Sequence, residues 1–313
     1  MEYDSPVFKR LAANDTSKAP GHQGGIVIPK DLEGYFPRLE GEISAAFPTL
    51  DEAVHAELLV DDIFVGSVVT RYQHQTWGGT RSPERRLTSN LGPIRDAATE
   101  GDLLLIQRSL ESPKSVRLNL VRQGTQQFAR WAKDIGLRRW GVLIPATDPM
   151  KNVELEKAIA EEQEKESGPF QLIVANIATV VSTGMRIARN AAFRQRVLRL
   201  YENRCAVTGV GLVSPSGAIG IDATHIVPLD RRGSDDVRNG LALSKDLHWA
   251  FDRGLWSVSR ERRVVVPDLF KQHSMNENLK KLEGQKLSEA NSSSLRASQD
   301  AFDWHRENVM LPT

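Results

Sequence analysis

His225, Asn239, His248 and Asp252 fall within one short stretch, IDATHIVPLDRRGSDDVRNGLALSKDLHWAFDRG, at positions 221–254. An imidazole changes charge near neutral pH, so either histidine suits proton transfer or, when neutral, ligation of a metal. An amide such as Asn239 donates and accepts at once and can tie two backbone segments together. His248 and Asp252 are four residues apart in SKDLHWAFD, which reads as a helix, so they share one face. A nitrogen donor beside an oxygen donor fits a divalent cation. Proton transfer next to a bound cation is the chemistry these residue types allow.

Such groups act only when a scaffold holds them. RNAAFRQRVLRLYENRC places Phe193, Val197, Leu200 and Tyr201 at helical spacing with arginines on the other side, so an amphipathic helix leads into the stretch. Upstream, VELEKAIAEEQEKE at 153–166 reads as a solvated acidic helix that ends at SGP, 167–169. The first 145 residues read as short strands: GGIVIP, AELLV, IFVGSVVTRY, DLLLIQRS, SVRLNLVR and WGVLIP, with one helix expected at 125–136. Many short strands with one or two helices suggest a small barrel or pseudobarrel. The expected fold class is α+β, with a β-pseudobarrel domain at 1–148, a connection carrying the acidic helix at 149–185, and a second domain at 186–313.

A chain of 313 residues can bury two cores. The single cysteine, Cys205, excludes an internal disulfide framework and a four-thiolate zinc site, and reads as a buried hydrophobe. The N-terminal MEYDSPVFKRLAAND lacks an export pattern, and no run of about 18 apolar residues occurs, so the expectation is a cytoplasmic location without membrane insertion. The net charge of +1 does not by itself argue for nucleic acid. Its distribution is more informative: five arginines lie between Arg71 and Arg95 against Glu84 alone, and six between Arg186 and Arg204 against Glu202 alone.

YENRCAVTG, IDATHIVP, RNGLALSKDLHWAFDRG and WHREN resemble the HNH endonuclease family, in its form without zinc-binding cysteine pairs, over roughly 186–308. The resemblance implies a β-hairpin and a helix that clasp one divalent metal, with His225, Asn239 and His248 at the three positions that name the motif. Hydrolysis of a phosphodiester needs a deprotonated water in line with the leaving 3′ oxygen and a cation to offset developing charge. His225 is then the general base, Asn239 holds the hairpin loop in register, and His248 ligates Mg²⁺, Mn²⁺ or Zn²⁺ with Asp252 as a ligand or orienting group. Many members carry an acidic ligand directly before the base, but Thr224 stands there; Asp222, two residues earlier on the same strand face, is the substitute. Trp304 and His305 read as a structural seal.

Residues 9–37 and 72–92 resemble the two DNA-gripping arms of the EcoRII N-terminal recognition family, over roughly 5–145. That family is a pseudobarrel, related to the DNA-binding domain of certain plant transcription factors, and it reads the major groove of duplex DNA. Lys9, Arg10, Asn14, Asp15, Thr16, His22 and Gln23 fall on the first arm, and Arg81, Glu84, Arg85 and Arg86 on the base-contacting positions of the second. Thr80 and Thr88 suit phosphate, and Trp77 or Leu11 suits the methyl of a modified cytosine. Pro83 adds one residue to the second arm relative to the family pattern, so base preferences do not carry over. The combined expectation is a restriction-type endonuclease for double-stranded DNA, dependent on 5-methylcytosine and acting as a homodimer. The alternatives are a nuclease for an unmodified sequence and a DNA-binding regulator with an inactive nuclease domain.

Overall fold

The computed structural model describes residues 2–18, 24–76, 82–143, 149–174, 183–215 and 217–311. The chain divides into two units: Met1–Leu155 with Ser182–Ile187 and Ser214–Ala218, and Glu156–Val181 with Ala188–Val213 and Ile219–Thr313.

In the first unit, strands β1 (Val7–Arg10), β2 (Ile26–Ile28), β3 (Thr49–Val60), β4 (Ile63–Gln75) and β5 (Glu84–Leu87) precede a one-turn helix α1 (Gly92–Arg95). β6 (Leu103–Arg108), β7 (Ser115–Val121), helix α2 (Gln126–Ile135) and β8 (Trp140–Val142) follow. The eight strands form one curled, half-barrel sheet in the order β2-β5-β4-β3-β7-β6-β1-β8. Only the β3–β7 pair is parallel among these described strands.

The apolar run of β6 shows why the sheet is covered on both sides. Leu104 and Ile106 join Ile26, Val54, Leu58 and Leu118 inside the curl. Leu103 and Leu105 point the other way and pack with Phe8, Val121 and Ile135 of α2. Side chains alternate across a strand, so a strand buried on both faces reads as an unbroken apolar run. Helix α2 starts at Thr125, whose hydroxyl accepts from the Phe128 N–H at 3.1 Å.

Helices α3 (Asn152–Ser167) and α4 (Thr183–Leu200), which belong to the second unit from Glu156 and Ala188 onward, bring the acidic and basic runs together. Glu161 pairs with Arg189 at 3.2 Å and Glu166 pairs with Arg196, while Arg238 donates to the carbonyls of Lys165 and Gly168. Glu162 is buried, and burial pushes its carboxyl up to about 7 against the pull of Lys165. Arg189 and Arg196, two of the six arginines of the basic run, are therefore paired within the unit.

The unit continues with β9 (Ile221–His225), β10 (Gly240–Ser244), α5 (Lys245–Asp252), β11 (Ser257–Val258), β12 (Val264–Val265), α6 (Asp268–Lys271), α7 (Glu277–Lys280) and α8 (Gln299–Asn308). β9 and β10 form an antiparallel hairpin that runs straight into α5, a ββα unit. Phe193, Val197, Leu241, Leu243, Phe251, Trp256 and Phe302 are at its core. His305 ties α8 to the end of α5: its ring stacks on Phe251 at 3.7 Å, and Nε2 lies 3.1 Å from the Phe251 carbonyl. Burial pushes His305 down to about 4, so the ring is neutral; Nε2–H donates to that carbonyl and Nδ1 accepts from the Ser257 hydroxyl at 2.9 Å. Among the described residues, no helix is long and apolar enough to cross a membrane.

Candidate active site

His225 ends β9 opposite Gly240. A Cβ on Gly240 would lie 2.5 Å from Val197 Cγ2 and 3.1 Å from Phe193 Cζ, so only glycine lets the hairpin press this closely on α4. The result is a stack of the His225 ring on Phe193, with centroids 3.8 Å apart and planes 6° from parallel. Nε2 of His225 is 3.1 Å from Asp235 Oδ1. Burial pushes Asp235 up, but the hydrogen bond from His225, with the charges of Lys165 and Arg189, outweighs it and holds the group ionised. A carboxylate accepts from Nε2–H, which leaves the lone pair on Nδ1. The ring borders a cavity of about 730 Å³ shared with Arg231, His248, Asp252, Arg253 and Asn308.

Asn239 holds the loop between the two strands. Fully buried, it accepts from the Val227 N–H at 2.9 Å and donates to the carbonyls of Val227 and Ser234 at 2.9 and 2.8 Å. Its own carbonyl accepts from the Ile226 N–H. The loop is packed so tightly that a Cβ on Gly233 would lie 1.9 Å from the Val227 carbonyl oxygen. Truncating Asn239→Ala orphans three buried backbone groups, each costing about 1–3 kcal/mol. A loss of at least about 3 kcal/mol in urea unfolding is expected, with cleavage falling alongside. An unchanged unfolding midpoint would show that the loop does not depend on this side chain.

His248, on α5, lies between two carboxylates: Nδ1 is 3.2 Å from Asp222 Oδ2 and Nε2 is 3.3 Å from Asp252 Oδ2. Burial lowers its pKa, yet the hydrogen bonds and charges of Asp222 and Asp252 prevail and raise it to about 9. Asp222 is further engaged by Arg194 at 3.2 Å and Lys245 at 2.8 Å. Burial works against its ionisation, but His248 and these two cations keep its carboxyl well below the usual range. Thr224 is buried with its hydroxyl unpaired among the described residues, so a carboxylate there would be desolvated without a partner. No group of three His, Cys, Asp or Glu side chains gathers in metal-holding geometry among the described residues. An imidazole flanked by carboxylates nevertheless stabilises positive charge. Once Nε2 of His248 gives up its proton, that nitrogen and the half-exposed Asp252 would be the donors available to a divalent cation.

Residues 205–259 match the HNH endonuclease family. This segment is an HNH endonuclease domain. The match contains His225, Asn239, His248 and Asp252, and it begins at the buried Cys205. No curated protein sequence matches the chain. Among solved structures, a modification-dependent TagI restriction endonuclease is 22% identical with a TM-score of 0.31, over 38% of this chain and 39% of that one. An Arabidopsis FUS3–DNA complex is 20% identical with a TM-score of 0.26, over 37% of this chain and 94% of that one. This chain therefore spans about two fifths of the length of the TagI enzyme.

Asp235, absent from the sequence reading, pairs with His225 in the HNH domain. Its signal was the acidic run SDD between the two strands, which does not distinguish 235 from its neighbour Asp236; the latter caps the turn at Val237–Asn239 and binds Arg238. Phe193 was read as one of the apolar positions of a helix, and the structure adds its stack beneath His225.

In the first unit, the residues expected on the DNA arms divide by exposure. Lys9, Asp15 and Thr16 are buried. Lys9 Nζ donates to Asp15 at 2.7 Å, the other Asp15 oxygen accepts from the Ala12 N–H, and the Thr16 hydroxyl donates to the Ala13 carbonyl. Their polar atoms are occupied inside the unit, so they brace the first arm and do not face a ligand. Leu11 is likewise in the core. Arg10 donates to the carbonyls of Gly101 and Gly136. Arg86 is buried against Glu84, and Arg85 pairs with Glu33. Asn14 is exposed, and Thr88 is half-buried beside the Arg71 carbonyl. His22, Gln23, Trp77, Thr80 and Arg81 lie outside the described residues.

Proposed function

We propose that the chain is a restriction-type endonuclease for double-stranded DNA in which His225 activates the attacking water. The observation that carries this reading is that His225, held from behind by Asp235, borders the same cavity as His248 and Asp252 inside an HNH domain. Nδ1 of His225 removes a proton from water, and the hydroxide oxygen attacks phosphorus. The bond to the 3′ oxygen breaks, and that oxygen leaves with a proton from solvent. Arg231 and Arg253 border the cavity and supply positive charge for the phosphate. His248 Nε2 and Asp252 would hold a divalent cation, Mg²⁺ or Mn²⁺, with Zn²⁺ also within reach of this donor set; bound, it offsets charge on the phosphoryl group and the leaving oxygen. Asp222 orients His248 through the other ring nitrogen.

The pseudobarrel supplies the target. Asn14, Glu84, Arg85 and Thr88, with the second-arm residues Trp77, Thr80 and Arg81, read the major groove, where a 5-methyl group on cytosine is exposed. Cutting both strands takes two HNH sites, so the acting species is a homodimer on DNA. Digestion of duplexes with and without 5-methylcytosine, in Mg²⁺ or Mn²⁺ and with the ends sequenced, tests this reading. Paired cuts near methylated sites are expected. Equal cutting of both substrates would sink the methyl dependence, and no cutting of any duplex would sink the nuclease.

A further inference from the structure

Away from His225, the second unit carries a cavity of about 460 Å³ lined by Arg238, Arg260, Arg262 and Arg296, with no carboxylate among the described lining residues. Two of these guanidiniums build the walls. Arg238 is bound to Asp236 and two carbonyls, and Arg262 is bound to Glu289 and the Ala297 carbonyl. The other two are available. Arg260 has a side chain 75% exposed, with one long contact of 3.5 Å to Asp303, which already accepts from Gln299 and Arg306. Arg296 is exposed and joins no ion pair among the described residues. Ser293, Ser294 and Ser298 line the same space. Forked guanidiniums beside hydroxyls match the oxygens of a phosphodiester.

Helix α8 gives the scale. Its first residue, Gln299, borders this cavity, and its last, Asn308, borders the active-site cavity. At 1.5 Å per residue the two ends are roughly 14 Å apart. That is roughly four base pairs along a duplex at 3.4 Å per step.

We propose that this arginine-lined cavity receives the phosphodiester backbone of duplex DNA about four base pairs from the scissile bond, with Arg260 and Arg296 each donating to a phosphate. The ligand class rests on the nuclease reading of the neighbouring site. Backbone contacts carry no base information, so the cavity adds affinity and register, not specificity.

The test is binding of the full chain to a fluorescently labelled duplex by anisotropy, without divalent metal, over a series of salt concentrations. Replacing Arg260→Ala and Arg296→Ala together should weaken binding equally for duplexes of different sequence. It should also reduce the slope of log affinity against log salt by about 2, one unit per lost phosphate contact. Lys280→Ala with Lys281→Ala removes the same charge outside the cavity and should leave the slope at the wild-type value. An unchanged slope in the arginine variant, or an equal drop in the lysine variant, overturns the proposal. Cleavage by the wild type is read on the same duplex with Mg²⁺ or Mn²⁺ added. Binding without cleavage refutes the nuclease reading alone, and the slopes still decide the cavity; absence of binding overturns both.

Discussion

Replacing His225 with alanine is expected to lower single-turnover cleavage by about 10²- to 10⁴-fold, the usual contribution of a positioned general base. The imidazole ends a strand, is stacked on Phe193 and borders the active-site cavity. Truncation leaves a slot beside the phenyl ring. Added imidazole should therefore restore part of the rate in the variant and none in the wild type. Single-turnover digestion of a labelled duplex, with and without imidazole, measures both effects. A variant that cuts at the wild-type rate would remove His225 from the chemistry.

The change Asp235→Asn is expected to cost as much as about 10⁴-fold, the scale seen when a general-base histidine is held in the wrong tautomer. The carboxylate is 3.1 Å from Nε2 and accepts a hydrogen bond from it. An amide of the same shape can donate from its nitrogen to Nε2, which drives the ring proton onto Nδ1 and blocks the face meant for water. Asp235→Ala imposes no tautomer, so it should lose less activity than the near-isosteric asparagine. That inversion separates a positioning role from a structural one, because a support that only fills space is harmed more by truncation. The comparison needs cleavage rates for both variants, with thermal unfolding to confirm that each remains folded. A larger loss for alanine than for asparagine would count against tautomer control.

Several features were legible in the chain because neighbours in sequence determine them. Alternation of side chains across a strand and the 3.6-residue turn of a helix gave the many-stranded first unit and helix α2 at Gln126–Ile135. A spacing of four on a helix puts His248 and Asp252 together, whatever the rest of the molecule does. Opposite charge runs at 153–166 and 186–204 were visible too, although only folding paired Glu161 with Arg189 and Glu166 with Arg196.

Tertiary structure decided what depends on closing a loop. Asp230, Asp235 and Asp236 look alike in the chain, and it is the Asn239 tie and the crowding at Gly233 that turn Asp235 toward His225. Burial made Lys9, Asp15 and Thr16 braces of the first unit, because a charge removed from water must find its partner nearby. The arginine-lined cavity draws on segments around 170, 238, 260 and 296, which no local pattern links. Local periodicity is set by covalent geometry and is written in adjacent residues, whereas the aim of a single side chain is set by packing between segments far apart in the chain.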